Sequence, residues 1–129
     1  MSGTELWQTV WKQMRRGDIY IADLDPARAS EADKCRAVVI VSADSLNRTV
    51  DRLGAGVVTV VPLTTNISRV YAFQVLLPAA EAGPESGSKA QAEQVRSISF
   101  SRLGRSPVGQ VAPALLKLVD AALRLHLDL

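Results

Sequence analysis

Arg36, Thr64, Glu31 and the run Glu93-Gln94-x-Arg96 are the residues whose types and placement suit chemistry on a charged substrate. Arg36 stands where a charged loop re-enters a strand, Thr64 where an apolar strand ends, and Glu31 within that loop. Brought to one face of a curved sheet, they form a cationic, hydrogen-bonding cleft fit for a phosphodiester. An arginine holds a phosphate through its planar fork and neutralises the charge that builds on the oxygens in the transition state. A threonine hydroxyl hydrogen-bonds a phosphate oxygen or the attacking group. RNA brings its own nucleophile, the 2′-hydroxyl, so such a cleft needs neither metal nor protein nucleophile. The competing reading is structural: Arg36 pairs with Glu31 or Asp33, and Thr64 caps a turn.

Other chemistries are excluded by what the sequence lacks. There is no P-loop, GxGxxG, CxxC or HExxH, which removes nucleotide hydrolysis, a dinucleotide cofactor and zinc proteolysis. The single histidine, His126, lies near the end of the last helix, where a basic group suits the helix dipole. Cys35 is the lone cysteine, with no second cysteine or nearby histidine to complete a nucleophilic set, so neither a disulfide nor a metal site is expected. No cofactor is expected.

At 129 residues with 47% apolar and 22% charged residues, the chain has the size and composition of one globular domain with a single core. The net charge of +2 is small, but arginine dominates the basic residues, 11 against 4 lysines, and arginine is the better phosphate clamp. No apolar run approaches the roughly 20 residues of a membrane span, and the N-terminus lacks the pattern of a signal peptide. The expectation is a cytoplasmic protein.

The elements that must position these residues follow in order. Thr4 to Met14 puts Trp7, Val10, Trp11 and Met14 on one helical face, an amphipathic extension (1–14) ahead of the domain proper (15–129). Ile19–Leu24 reads as a first strand and Ala37–Val41, apolar throughout and thus buried on both faces, as a second, central one; the charged loop with Arg28, Glu31, Asp33 and Lys34 joins them. A short turn or helix over 43–48 and a loop to Gly56 lead to a third strand, Val57–Leu63, in which Pro62 is expected at a strand end or edge. Thr64, Thr65 and Asn66 emerge from it as a polar cluster. Ala72–Leu77 is a fourth strand; 88–92 and 95–98 read as strand, kink, strand; 101–103 as one helical turn. Pro113–Leu127 closes the chain as a leucine-rich helix with proline near its start, apolar around so much of its surface that packing against a second protomer is expected. The pattern suggests a mainly β protein with helices (α+β), a small curved sheet of half-barrel shape with that helix packed on it.

The segments RRGDIYIADLDPARASEADKCRAVVIVSADSLN, TVVPLTTN, FQVLLP, SKAQAEQVRSIS and RLGR together resemble the MazF/PemK family of type II toxin-antitoxin endoribonucleases, in order and across residues 15–129. The resemblance implies an SH3-like curved antiparallel sheet with a C-terminal helix, of the type shared with CcdB toxins, assembled as a homodimer. It implies that Arg36 matches the family's catalytic arginine, Thr64 its catalytic threonine and Glu31 an acidic residue implicated in some members. Gln94 and Arg96 align with a polar motif near the RNA channel; Arg28, Lys34, Thr65 and Asn66 join them as expected RNA-binding residues. The implied activity is sequence-selective, metal-independent cleavage of single-stranded RNA, leaving 2′,3′-cyclic phosphate and 5′-hydroxyl ends. The implied partner is a MazE-like antitoxin with a disordered acidic and apolar tail. Where the family usually reads GSEQ-x-G-x-RPV, residues 29–38 here read ASEADKCRAV. Loss of both glycines and the proline alters the loop's allowed conformations. The alternative from another class is a CcdB-type toxin that binds gyrase and has no nuclease activity.

Overall fold

The computed structural model describes residues 13–24, 35–78 and 87–129. The expected N-terminal helix, the loop carrying Arg28, Glu31 and Lys34, and the segment 79–86 lie outside the described residues, except that Met14 is buried within the domain.

Seven strands among the described residues form one curled antiparallel sheet: β1 (Asp18–Asp23), β2 (Cys35–Ile40), β3 (Val57–Thr64), β4 (Gln74–Leu77), β5 (Ser88–Gln91), β6 (Arg96–Ser99) and β7 (Gly109–Gln110). Their order is β4-β5-β3-β2-β1-β7, with β6 paired to β3. The curl comes from β3, whose first half, Val57 to Val60, pairs with β6 while Leu63 and Thr64 pair with β5. One long strand therefore serves two sheet halves. The two-residue β7 carries no periodic signal, which is why sequence pattern missed it.

Pro62 sits inside β3, not at its end, and pairs with Val38 of β2. A proline has no N–H to give, so this must be a non-hydrogen-bonded pair. The place of its missing donor faces the other edge, in the interval where β3 changes partner from β6 to β5. The ladder there is already interrupted, which is how an interior strand accommodates it.

Alternation along β2 divides the core. Val39 joins Ile19, Val61 and Leu77 under helix α2 (Pro113–Leu127), while Val38 and Ile40 join Met14, Tyr20 and Val60 on the other face with Val50 of helix α1 (Asp44–Leu53). The expectation that AVVIV is buried on both faces is met. Helix α1 is longer than the expected turn over 43–48, since it continues to Leu53 and stops at Gly54, which takes the left-handed φ of 68° suited to a helix end. Its inward face is carried by the fully buried Asn47 beside Val50, with Leu46 and Leu53 exposed, so hydrophobic spacing alone underestimated it. The C-terminal helix spans the expected residues and buries Val119 and Ala122, while Leu118, Leu125 and Leu127 remain exposed.

Gly17 joins the turn before β1 to this frame. Its N–H donates to Ile40 O at 2.7 Å, its carbonyl accepts from Val111 N at 2.9 Å, and its φ is +97°. A Cβ there would meet Leu116 Cδ2 at 3.1 Å. Gly17→Ala is therefore expected to lower stability by about 1–3 kcal/mol in urea unfolding, through a disfavoured φ and a crowded helix contact. Next to it, Arg16 donates through Nε to Val41 O at 2.9 Å and forms an ion pair with Asp120 of α2, so this arginine braces the helix.

Candidate functional site

The site opens where a ladder ends. β2 and β3 pair at Ile40↔Val60, Val39↔Val61 and Val38↔Pro62, and continuing that register by two residues sets Arg36 opposite Thr64. Instead of pairing there, the strands part around a cleft of about 300 Å³ lined by Cys35, Arg36, Ala37, Leu63, Thr64, Thr65 and Ser88. Each side is held from outside. β1 continues to pair with β2 through Ala22↔Arg36 and Asp23↔Cys35, and β5 pairs with the end of β3 through Thr64↔Lys89. The two candidate catalytic residues thus stand on rigid strands with the space between them unfilled, the arrangement that positions groups for a substrate.

Arg36 is exposed and, among the described residues, its side chain makes no hydrogen bond or ion pair. Its five donors are available to an anion. Thr64 is half-buried, and its Oγ1 accepts from Asn66 N at 3.3 Å. It does cap a turn, as the structural reading expects, but the hydroxyl hydrogen is still free to donate. Asn66 in turn accepts from the backbone and side chain of Ser68, at 3.4 and 2.9 Å.

Of the remaining expected site residues, Thr65 lines the cleft and Asn66 shapes its exit turn without lining it. Glu31, Arg28 and Lys34 fall outside the described residues. Gln94 and Arg96 are exposed and do not line the cleft. Arg96 pairs with Val60, on the same face of β3 as Thr64, about 13 Å away at the usual rise per residue. Its distance fits a neighbouring nucleotide, not the reacting group. Glu93, grouped with them in sequence, is a brace: its Oε2 accepts from Gln74 Nε2 at 2.8 Å, and Gln74 Oε1 accepts from Tyr71 N at 3.1 Å. That chain fixes the base of the loop after Thr65, whose Tyr71 and Phe73 rings stack at 5.3 Å.

Sequence reasoning set aside one group in the cleft wall and passed over another. Cys35 is exposed there. Ser88 is 1% exposed, and its Oγ has no hydrogen-bond partner among the described residues. Nothing in the local pattern marks Ser88; it reaches the cleft only because β5 pairs beside the end of β3. The groups with clear titration shifts lie elsewhere: burial raises the Asp18 carboxyl above its usual range and pushes the Tyr20 phenol to about 12. No group of three or more His, Cys, Asp or Glu suited to a metal ion occurs among the described residues.

Comparison with known proteins agrees with this fold. Residues 15–127 match the PemK-like, MazF-like toxin of type II toxin-antitoxin systems. The chain is 58% identical over 116 residues to the endoribonuclease MazF9 of Mycobacterium tuberculosis, covering 90% of this chain and 98% of that protein. It is 35% identical to the endoribonuclease toxin MazF of Escherichia coli K12, covering 81% and 86% respectively. Among solved structures, an endoribonuclease in complex with its cognate antitoxin from a Mycobacterial species superposes with a TM-score of 0.70 at 26% identity, over 90% of this chain and 96% of that one.

Proposed function

The chain belongs to the PemK-like, MazF-like family of toxins of type II toxin-antitoxin systems, and on that premise we propose that it is an endoribonuclease that cuts single-stranded RNA between Arg36 and Thr64. The observation that carries the proposal is the Arg36 guanidinium, without a side-chain partner among the described residues, facing Thr64 across the open end of the β2–β3 ladder. A gyrase-binding toxin without nuclease activity would leave that placement without a purpose.

In the proposed reaction the scissile phosphate enters the cleft with a non-bridging oxygen on Arg36. The Thr64 hydroxyl donates to a second phosphate oxygen and fixes the phosphate's orientation. The ribose 2′-oxygen attacks phosphorus as its proton passes to a base, for which Glu31 is the acidic candidate. The bond to the 5′-oxygen breaks, that oxygen takes up a proton, and a 2′,3′-cyclic phosphate and a 5′-hydroxyl remain. Arg36 acts by charge, since a guanidinium stays protonated. Arg28, Lys34, Thr65, Asn66, Gln94 and Arg96 are proposed to hold the flanking nucleotides.

A MazE-like antitoxin is the proposed partner, in line with the antitoxin complex of the Mycobacterial relative. The exposed Leu118, Leu125 and Leu127 on α2 support a homodimer, in the cytoplasm. The N-terminal residues 1–14 are proposed as an extension to the domain. Incubation with a long unstructured RNA in excess EDTA tests the function: discrete fragments are expected, and an intact RNA with folded protein overturns it.

Cys35 offers a second test. Carbamidomethylation by iodoacetamide places an amide group in the cleft beside Arg36. Cleavage is expected to fall by about 10-fold or more, the penalty of displacing a substrate from its reacting geometry. Cys35→Ser, which leaves the cleft open, is expected to cleave normally and to resist the reagent.

A further inference from the structure

Resting on the ribonuclease reading, we infer that Lys89, which stands beside the cleft and does not line it, is a phosphate-binding cation for the same RNA. Lys89 is 7% exposed. A buried ammonium is costly unless a counter-charge or several acceptors compensate it. Among the described residues its only partner is neutral, Lys89 Nζ donating to Arg69 O, and the one ion pair is Arg16 with Asp120. Two of the three donors of this ammonium have no partner among the described residues.

Its position says what the missing partner is. Lys89 is the cross-strand partner of Thr64, and directly opposed residues on antiparallel strands present their side chains to one face, with Cβ atoms about 5 Å apart. Arg36, two residues beyond Val38 in the register, faces the same way. Three groups therefore share one face of the sheet: an exposed guanidinium, a hydroxyl with a free hydrogen, and a buried ammonium held on the loop carbonyl of Arg69. No carboxylate among the described residues forms an ion pair with either cation. A nucleic-acid phosphate supplies that counter-charge. The tie to Arg69 points the ammonium toward the loop that follows Thr65, so the phosphate it takes is one adjoining the scissile group.

The test uses the full-length protein and a short RNA made uncleavable by a 2′-deoxy sugar at the cut site, carrying a neutral methylphosphonate at one linkage at a time. With the wild-type protein, neutralising the linkage that Lys89 holds is expected to weaken binding by about 5- to 20-fold, the loss of one charge-assisted contact. In Lys89→Met that penalty disappears at this linkage and persists at the others, and the slope of log K against log salt falls by about 0.7. Lys89→Arg keeps the charge and restores both. A residue that only fastens the loop would weaken all linkages alike and leave the linkage pattern unchanged. That result, with RNA cleavage by the wild-type protein intact, overturns the inference while sparing the ribonuclease reading; absence of cleavage by the wild type strikes the ribonuclease reading itself. A Lys89→Met defect confined to binding of polyglutamate likewise overturns it and assigns the cation to an acidic protein partner.

Discussion

Arg36→Ala is expected to lower kcat for cleavage of a fluorogenic single-stranded RNA by about 10²–10³-fold, with Thr64→Ala close behind, as for removal of one preorganised donor to a transition-state oxygen. The reason lies in the ladder. The Arg36 side chain is exposed, has no partner among the described residues and is held by β1 on its outer side, so its removal deletes no side-chain hydrogen bond to any of them. Unfolding midpoints should stay within a degree or two of wild type. Thr64→Ala also removes the acceptor for Asn66 N, which costs about 0.5–1.5 kcal/mol of stability. Thr64→Ser keeps acceptor and donor and is expected to recover most of the rate. Loss of activity with a large fall in stability in Arg36→Ala would mean that the guanidinium is a structural brace like Arg16.

Asn47→Leu is expected to cost about 2–4 kcal/mol, measured by urea unfolding, because it strands buried polar groups. Asn47 is fully buried in α1. Its Nδ2 donates to Ser42 O at 2.8 Å, its Oδ1 accepts from Ser42 Oγ at 2.6 Å, and Ser42 Oγ in turn accepts from Thr59 N at 3.3 Å. One amide thus joins the start of the helix to β3. A leucine has the same branched shape and greater bulk but leaves the Ser42 carbonyl and hydroxyl hydrogen without their Asn47 partners, so filling the volume does not rescue the loss. The cleavage rate of the folded fraction should be unchanged, since Asn47 is remote from the cleft.

What the sequence made legible and what it hid follow from the same physics. Apolar alternation marked β2 and β3, and the strand-kink-strand of residues 88–99 was readable because Glu93 and Gln94 interrupt it. The cleft residues Arg36 and Thr64 were legible through their positions at strand ends. Lys89, Ser88 and Cys35 were not, because their importance comes from pairing between β3 and β5 and between β1 and β2, which local pattern cannot carry. Asn47 was hidden because a polar residue on a helix reads as a solvent face. Pro62 misled: a proline usually marks an edge, and only the change of partners along β3 lets it sit inside.

The most direct measurement is cleavage of a short single-stranded RNA containing the cut site, beside the same RNA with one 2′-deoxy sugar on the nucleotide 5′ to the cut, in excess EDTA. The account predicts cutting of the first to a 2′,3′-cyclic phosphate and a 5′-hydroxyl, and no cutting of the second despite comparable binding. Continued cutting of the deoxy substrate at the same bond would contradict it, because a nucleophile other than the ribose hydroxyl would then be at work between Arg36 and Thr64.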